Sequence, residues 1–206
     1  MKKVFITFVL CLIACSCSTP SAPDYDPQPA YLADVSNAWG LFSGGQYGLS
    51  ALGFRNALAI DVQKLWPEAY IGLGWSLAMQ DSLVKAVSNF NSALQRTPRT
   101  AKDSVNALAG LGLAYRDITP PDFARVRDNV LEALAVDSQF VFEYKSSINA
   151  ADLEAVLAEA YFNLGQDSLA AAIADPNGTL DPAAENYQSQ LLTRIDMLIT
   201  QSREGE

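Results

Sequence analysis

The side chains able to do chemistry are few in this chain, and their spacing excludes more than it permits. There is no histidine, which removes the usual general base, the Ser-His and Cys-His nucleophile pairs and the commonest zinc ligand. Ser43-Gly44-Gly45-Gln46-Tyr47-Gly48 is glycine-rich, but no Gly-Lys-Ser/Thr follows to close a phosphate loop. Asp175, Asn177, Thr179 and Asp181 alternate as calcium ligands do. However, Gly178 stands at the fourth position instead of the sixth, and Asn186 replaces the bidentate glutamate. A helix stop followed by an N-cap accounts for the same residues. Carboxylates such as Glu154 and Glu159 read as solvated groups on helices. No enzyme, cofactor or metal site is expected.

The cysteines carry a different chemistry. Met1-Lys2-Lys3 and the apolar run Val4 to Ala14 form a signal peptide, too short to persist as a spanning helix. Its end, Leu12-Ile13-Ala14-Cys15, resembles the bacterial lipobox. That resemblance implies cleavage after residue 14 and lipidation of Cys15, with palmitate among the acyl chains. Cys11 leaves with the signal and only Cys17 remains as a possible thiol, so no disulfide forms within the mature monomer. Residues 15–29 read as the lipidated cysteine and a flexible tether; 16–29 hold four prolines and almost nothing apolar. A tether of this kind holds the domain roughly 20 Å from the bilayer. Ser16 after the lipidated residue resembles the outer-membrane sorting pattern of enterobacterial lipoproteins. The expected location is the cell envelope, at the outer membrane facing the periplasm.

Composition bounds the rest. The chain has 206 residues, 50% hydrophobic, which is ample for a core, and a formal charge of −9. Removing Lys2 and Lys3 makes it more acidic still. An acidic surface argues against nucleic acid and against binding anionic lipid by charge. Attachment to a membrane must then come from the acyl chains on Cys15.

The positioning elements are read from Pro67 to Pro98. Tyr70, Leu73, Gly74 and Leu77 recur at the three- and four-residue steps of one helix face, and Val84, Val87, Phe90 and Leu94 do the same, with Ala86 and Ala93 beside them. Gly74 lies where another helix must come close. Trp66-Pro67 opens the first helix and Pro98 ends the second. Large and small residues placed in this way resemble the tetratricopeptide repeat, a helix pair of roughly 34 residues. Gly45, Tyr47, Ser50, Phe54, Ala57, Leu58 and Asp61 occupy the positions of Asp81, Leu83, Ala86, Phe90, Ala93, Leu94 and Thr97, and Trp39 that of Trp75. Leu108, Leu111, Gly112 and Tyr115 repeat the series again. Leu153, Leu157, Ala158 and Tyr161 begin a fourth, with Asn149 as N-cap and Asp152 in the first turn.

The expectation is an all-α, right-handed superhelical array of about four helix pairs over 30–61, 67–98, 101–137 and 149–175. A C-terminal capping helix and tail over 182–206 follow, the helix starting at Asp181-Pro182 with the stripe Tyr187, Leu191, Ile195 and Leu198. Between the third and fourth pairs, Phe140, Phe142 and Tyr144 alternate with Val141 and Glu143, either as an extended linker laying rings on the array or as a strand without a partner. The linker is favoured.

The resemblance implies a groove lined by the first helix of each pair: Val35, Trp39, Phe42, Ile71, Trp75, Met79, Arg116 and Phe162. Such a groove suits a protein or peptide partner with apolar or amphipathic character. Packing of Trp39 and Trp75 within the core is an equal alternative. The function implied is a lipid-anchored scaffold that binds a protein or peptide and assists assembly of an envelope complex. The alternative is a permanent structural or accessory subunit of a secretion or uptake complex, without an exchangeable ligand.

Overall fold

The structure, a computed structural model, describes residues 26–204; the signal peptide, Cys15 and most of the tether lie outside the described residues. Within them the fold is all-α, as the periodicity requires. Helices α1 (Gln28–Ser43) and α2 (Tyr47–Ile60) form the first pair, α3 (Glu68–Ala78) and α4 (Leu83–Leu94) the second, α5 (Ala101–Asp117) and α6 (Phe123–Val136) the third, and α7 (Ala150–Asn163) and α8 (Asp167–Ala174) the fourth. A single helix α9 (Tyr187–Glu204) closes the chain. Packed helices joined by such short turns must run back along one another.

Local signals set the ends. Thr100 and Asp103 form a reciprocal capping box at α5, with Asp103 N donating to Thr100 Oγ1 at 3.0 Å and Thr100 N donating to the Asp103 carboxylate at 2.9 Å. Asn149 caps α7, accepting from Ala151 N at 2.9 Å while its own N–H donates to Asp152. Three of the four intra-pair turns share one backbone device. Gly45 (φ 72°), Asp81 (φ 58°) and Gly165 (φ 70°) turn left-handed, and the next N–H reaches back to Leu41, Leu77 and Tyr161 respectively. Aspartate thus holds in the second pair a conformation that glycine holds in the other two.

Aromatic residues of the second helices interlock the pairs. Phe54 is fully buried against Gly72 of the next pair, where an added Cβ would come within 2.1 Å of its ring. Phe90 lies between Gly74 of its own pair and Gly110 of the next, where a Cβ would approach to 2.6 and 2.3 Å. The close approach expected at Gly74 is therefore made by a ring, and it recurs at two further glycines. Beside it the buried Ser50 and Ser76 hydroxyls bond at 2.8 Å, and Ser76 also donates to Gly72 O at 2.7 Å, so that neither is left unsatisfied.

The last helix begins later than its sequence signal. Residues 175–186 remain in turns because Asp175 accepts from Thr179 Oγ1 at 2.6 Å and Leu180 N at 2.7 Å, and Asp181 accepts from Ala183 N at 2.9 Å. The same bonds occupy the carboxylate considered for calcium. From Tyr187 onward α9 lies on α7 and α8 and buries Leu191 and Ile195 completely.

Candidate functional site

The first helices α1, α3, α5 and α7 touch one another in succession, whereas α2, α4, α6 and α8 do not. First helices therefore line the inside of the bend and second helices the outside. That inner face is where the sequence places the partner groove, and the chain fills much of it with its own segment, 137–149.

Alternation explains how. Phe140 and Phe142 point inward and are buried, while Val141 is 55% exposed and Glu143 is exposed. Phe142 stacks on Trp75 with centroids 4.3 Å apart, and meets Trp39 and Phe42 edge-on at 5.9 and 5.7 Å. Tyr144 lies flat on Trp39 at 3.8 Å, the planes 3° apart. The segment closes on itself through Phe142 N to Ile148 O (2.8 Å), Ala150 N to Phe140 O (2.7 Å) and one antiparallel bridge, Val141 to Asn149. It is tied to the array by the Ser43 hydroxyl, which donates to Tyr144 O at 3.4 Å, and by the Lys102–Glu143 ion pair. The linker that lays rings on the array is what the structure contains, with a single bridge in place of a strand.

The eight expected groove residues divide accordingly. Val35, Trp39, Phe42, Ile71 and Trp75 lie on the inner helices and are buried. The two tryptophans are buried in the core while each also lines an opening, and their indole N–H groups donate to Glu68 Oε1 and to Asn106 O, each at 3.2 Å. Phe162 is half-buried against the core. Met79 and Arg116 border an opening that remains, a cavity of about 260 Å³ walled also by Leu113, Ile148, Val156 and Ile199. Arg116 is ion-paired with Glu159 and Asp117. Ile199 belongs to α9, whose far end reaches this opening; no repeat pattern in the sequence brings it there.

A second opening, of about 360 Å³, lies between α1, the start of α3 and Tyr144. Glu68, which sequence reading passed over, sits in its wall. Burial pushes its carboxyl above the ordinary range, the Trp39 hydrogen bond opposes this, and Asp103 and Glu143 add to the rise. Tyr144 is pushed up to about 12 by burial and by the nearby Glu143 and Glu68 carboxylates. Among the described residues no group of three or more metal-ligating side chains is placed to hold an ion, and no helix is long and apolar enough to cross a membrane.

No family model matches the chain, and no curated protein matches it. Among solved structures, a chain from the functional characterization of Pseudomonas aeruginosa PilF is similar, with a TM-score of 0.39 and 12% identity over 87% of this chain and 89% of that one. A likeness of that size assigns neither family nor function.

Proposed function

We propose that this chain is a non-catalytic scaffold of the bacterial cell envelope, anchored by lipid on Cys15 at the outer membrane and facing the periplasm, which binds a protein or peptide partner and assists assembly of an envelope complex. The observation that carries the interaction role is the inner face, where openings remain beside the segment that fills much of it. Repeat arrays present their inner helices as extended binding surfaces, and an opening walled by Met79, Leu113 and Ile199 suits an apolar side chain of such a partner. Anchorage rests on the sequence at Cys15 alone.

One observation favours the second reading, a permanent accessory subunit: the segment 137–149 already buries the aromatic floor that an exchangeable peptide would use. Crosslinked capture of the lipidated chain from its own membrane separates the two. Met79→Lys places a charge in the opening at a residue that is only partly buried. Loss of a reversibly bound partner with that variant is the expected result. A partner recovered in fixed stoichiometry from both forms assigns the chain to a permanent complex. Cys15→Ala is expected to release the protein from the membrane fraction, and retention there would refute the anchor.

A further inference from the structure

We propose that the cleft between α1, the first turn of α3 and Tyr144 is a cation site, which takes the ammonium or guanidinium of a lysine or arginine side chain presented by a protein partner. This deepens the reading of the inner face as an interaction surface, on which the source of the cation depends.

The cleft is built for such a group. Leu32, Val35, Trp39 and Tyr144 supply alkyl and ring surface, and among the described residues Glu68 is the only charged one in its lining. Among the described residues the Glu68 carboxylate accepts one hydrogen bond, from the Trp39 indole at 3.2 Å. Its second oxygen is left without a hydrogen-bond donor. The lysine whose field reaches Glu68 is Lys102, and it is paired with Glu143. Burial is the main reason its carboxyl is hard to ionise, and Asp103 and Glu143 add to this by making the potential there more negative. A cation would reverse that penalty. The long side chain of lysine or arginine can lay its methylenes on Leu32 and the rings while its charged end meets the carboxylate. The whole chain carries a formal charge of −9, which steers basic partners toward it and anionic lipid away.

The test uses the full chain in detergent, titrated with Nα-acetyl-lysinamide and, separately, with Nα-acetyl-norleucinamide, which has the alkyl chain without the charge. The reporter is the Trp39 indole N–H resonance, because that group touches Glu68. A saturable displacement with the lysine probe alone is expected, weakened about tenfold or more in Glu68→Gln, as loss of a partly buried ion pair would give. Glutamine can still accept from Trp39, and an unchanged Trp75 indole resonance, which reports the bond to Asn106 O, establishes that the fold is kept in the unliganded variant. An equal response to norleucinamide, no saturable response, or undiminished binding in Glu68→Gln overturns the proposal. Any of these leaves the partner reading to the capture experiment. Lysine binding without a captured partner upholds the site and refutes that reading.

Discussion

Replacing Phe142 with alanine removes the ring that the inner helices enclose from several sides. The side chain is fully buried and contacts Trp39, Phe42, Trp75 and Tyr144 at centroid distances of 5.9, 5.7, 4.3 and 5.8 Å. Two contributions add. Truncating a buried phenylalanine costs about 3–5 kcal/mol through lost transfer energy and an unfilled cavity, and aromatic pairs contribute about 0.5–1.5 kcal/mol each beyond their burial. The neighbours cannot collapse into the space. Trp39 and Trp75 are each fixed by an indole hydrogen bond, and both stand on helices packed on their other faces. A loss near the upper end, about 4–5 kcal/mol, is therefore expected. For a domain of this size that corresponds to a fall in Tm of roughly 8–20 °C. Urea and thermal melts followed by far-UV circular dichroism measure it, with Val141→Ala on the exposed side of the same segment as control, expected within about 0.5 kcal/mol of wild type. A loss below about 1 kcal/mol for Phe142→Ala would falsify the placement of the segment in the core.

The glycine contacts predict opposite signs at two positions. Gly110→Ala meets the fully buried Phe90 ring at 2.3 Å and should destabilise by about 1–3 kcal/mol, whereas Gly40→Ala, with nothing within 4 Å of its Cβ, should stabilise by about 0.5–1 kcal/mol; equal effects in chemical denaturation would refute the packing. Asp81→Gly relieves the left-handed conformation and is expected to stabilise by about 0.5–1 kcal/mol in the same assay, a loss counting against the shared turn. Glu68, faced by Trp39, Lys102, Asp103 and Glu143, has its folded pKa raised above the unfolded value. The folded state therefore holds more protons there, and this group's contribution to stability falls as pH rises from the ordinary glutamate range through the raised one. Glu68→Gln should flatten the pH–stability curve in that window, and an unchanged slope would show that the carboxyl titrates normally.

Much of the fold is legible because helix pairing is written in local spacing. Series such as Tyr70, Leu73, Gly74 and Leu77 specify a face before any contact is known, and Gly45 and Asp81 mark equivalent turns. The start of α9 lies at Tyr187 and not at Asp181-Pro182, because a proline after aspartate signals a helix equally well whether or not the loop before it is tied down. Here the Asp175 bonds to Thr179 and Leu180, and the turns after Asp181, hold the chain until Tyr187. The site was less legible. Alternation at Phe140, Phe142 and Tyr144 showed that one face would be buried, but only the fold shows that it is buried on Trp39 and Trp75. Glu68 offered no sequence signal at all, since a glutamate in the first turn of a helix is ordinary. Its character comes from Trp39 and Tyr144, residues distant in sequence.

That distance changes what the array can do. In an open solenoid each pair contacts only its neighbours, so the array flexes and its inner face is continuous. Here the bond from Ser43 to Tyr144 spans 101 residues, and the stacked Trp39 and Tyr144 join the first pair to the connection before the fourth. Bending that opened the inner face would have to separate those rings and expose Phe142. The array is thereby held at one curvature, and under the proposed function recognition falls to openings beside the segment in place of a long groove. One sets Met79, Leu113 and Ile199 beside the charged Arg116, Asp117, Lys145 and Asp152; the other is aromatic, with Glu68 as its single carboxylate among the described residues. A partner that engaged both would need an apolar side chain and a basic one set apart by the distance between the two openings. Specificity of that kind depends on spacing as well as composition, so exchanging the basic and apolar residues within such a partner should abolish binding although its net charge and hydrophobicity are unchanged.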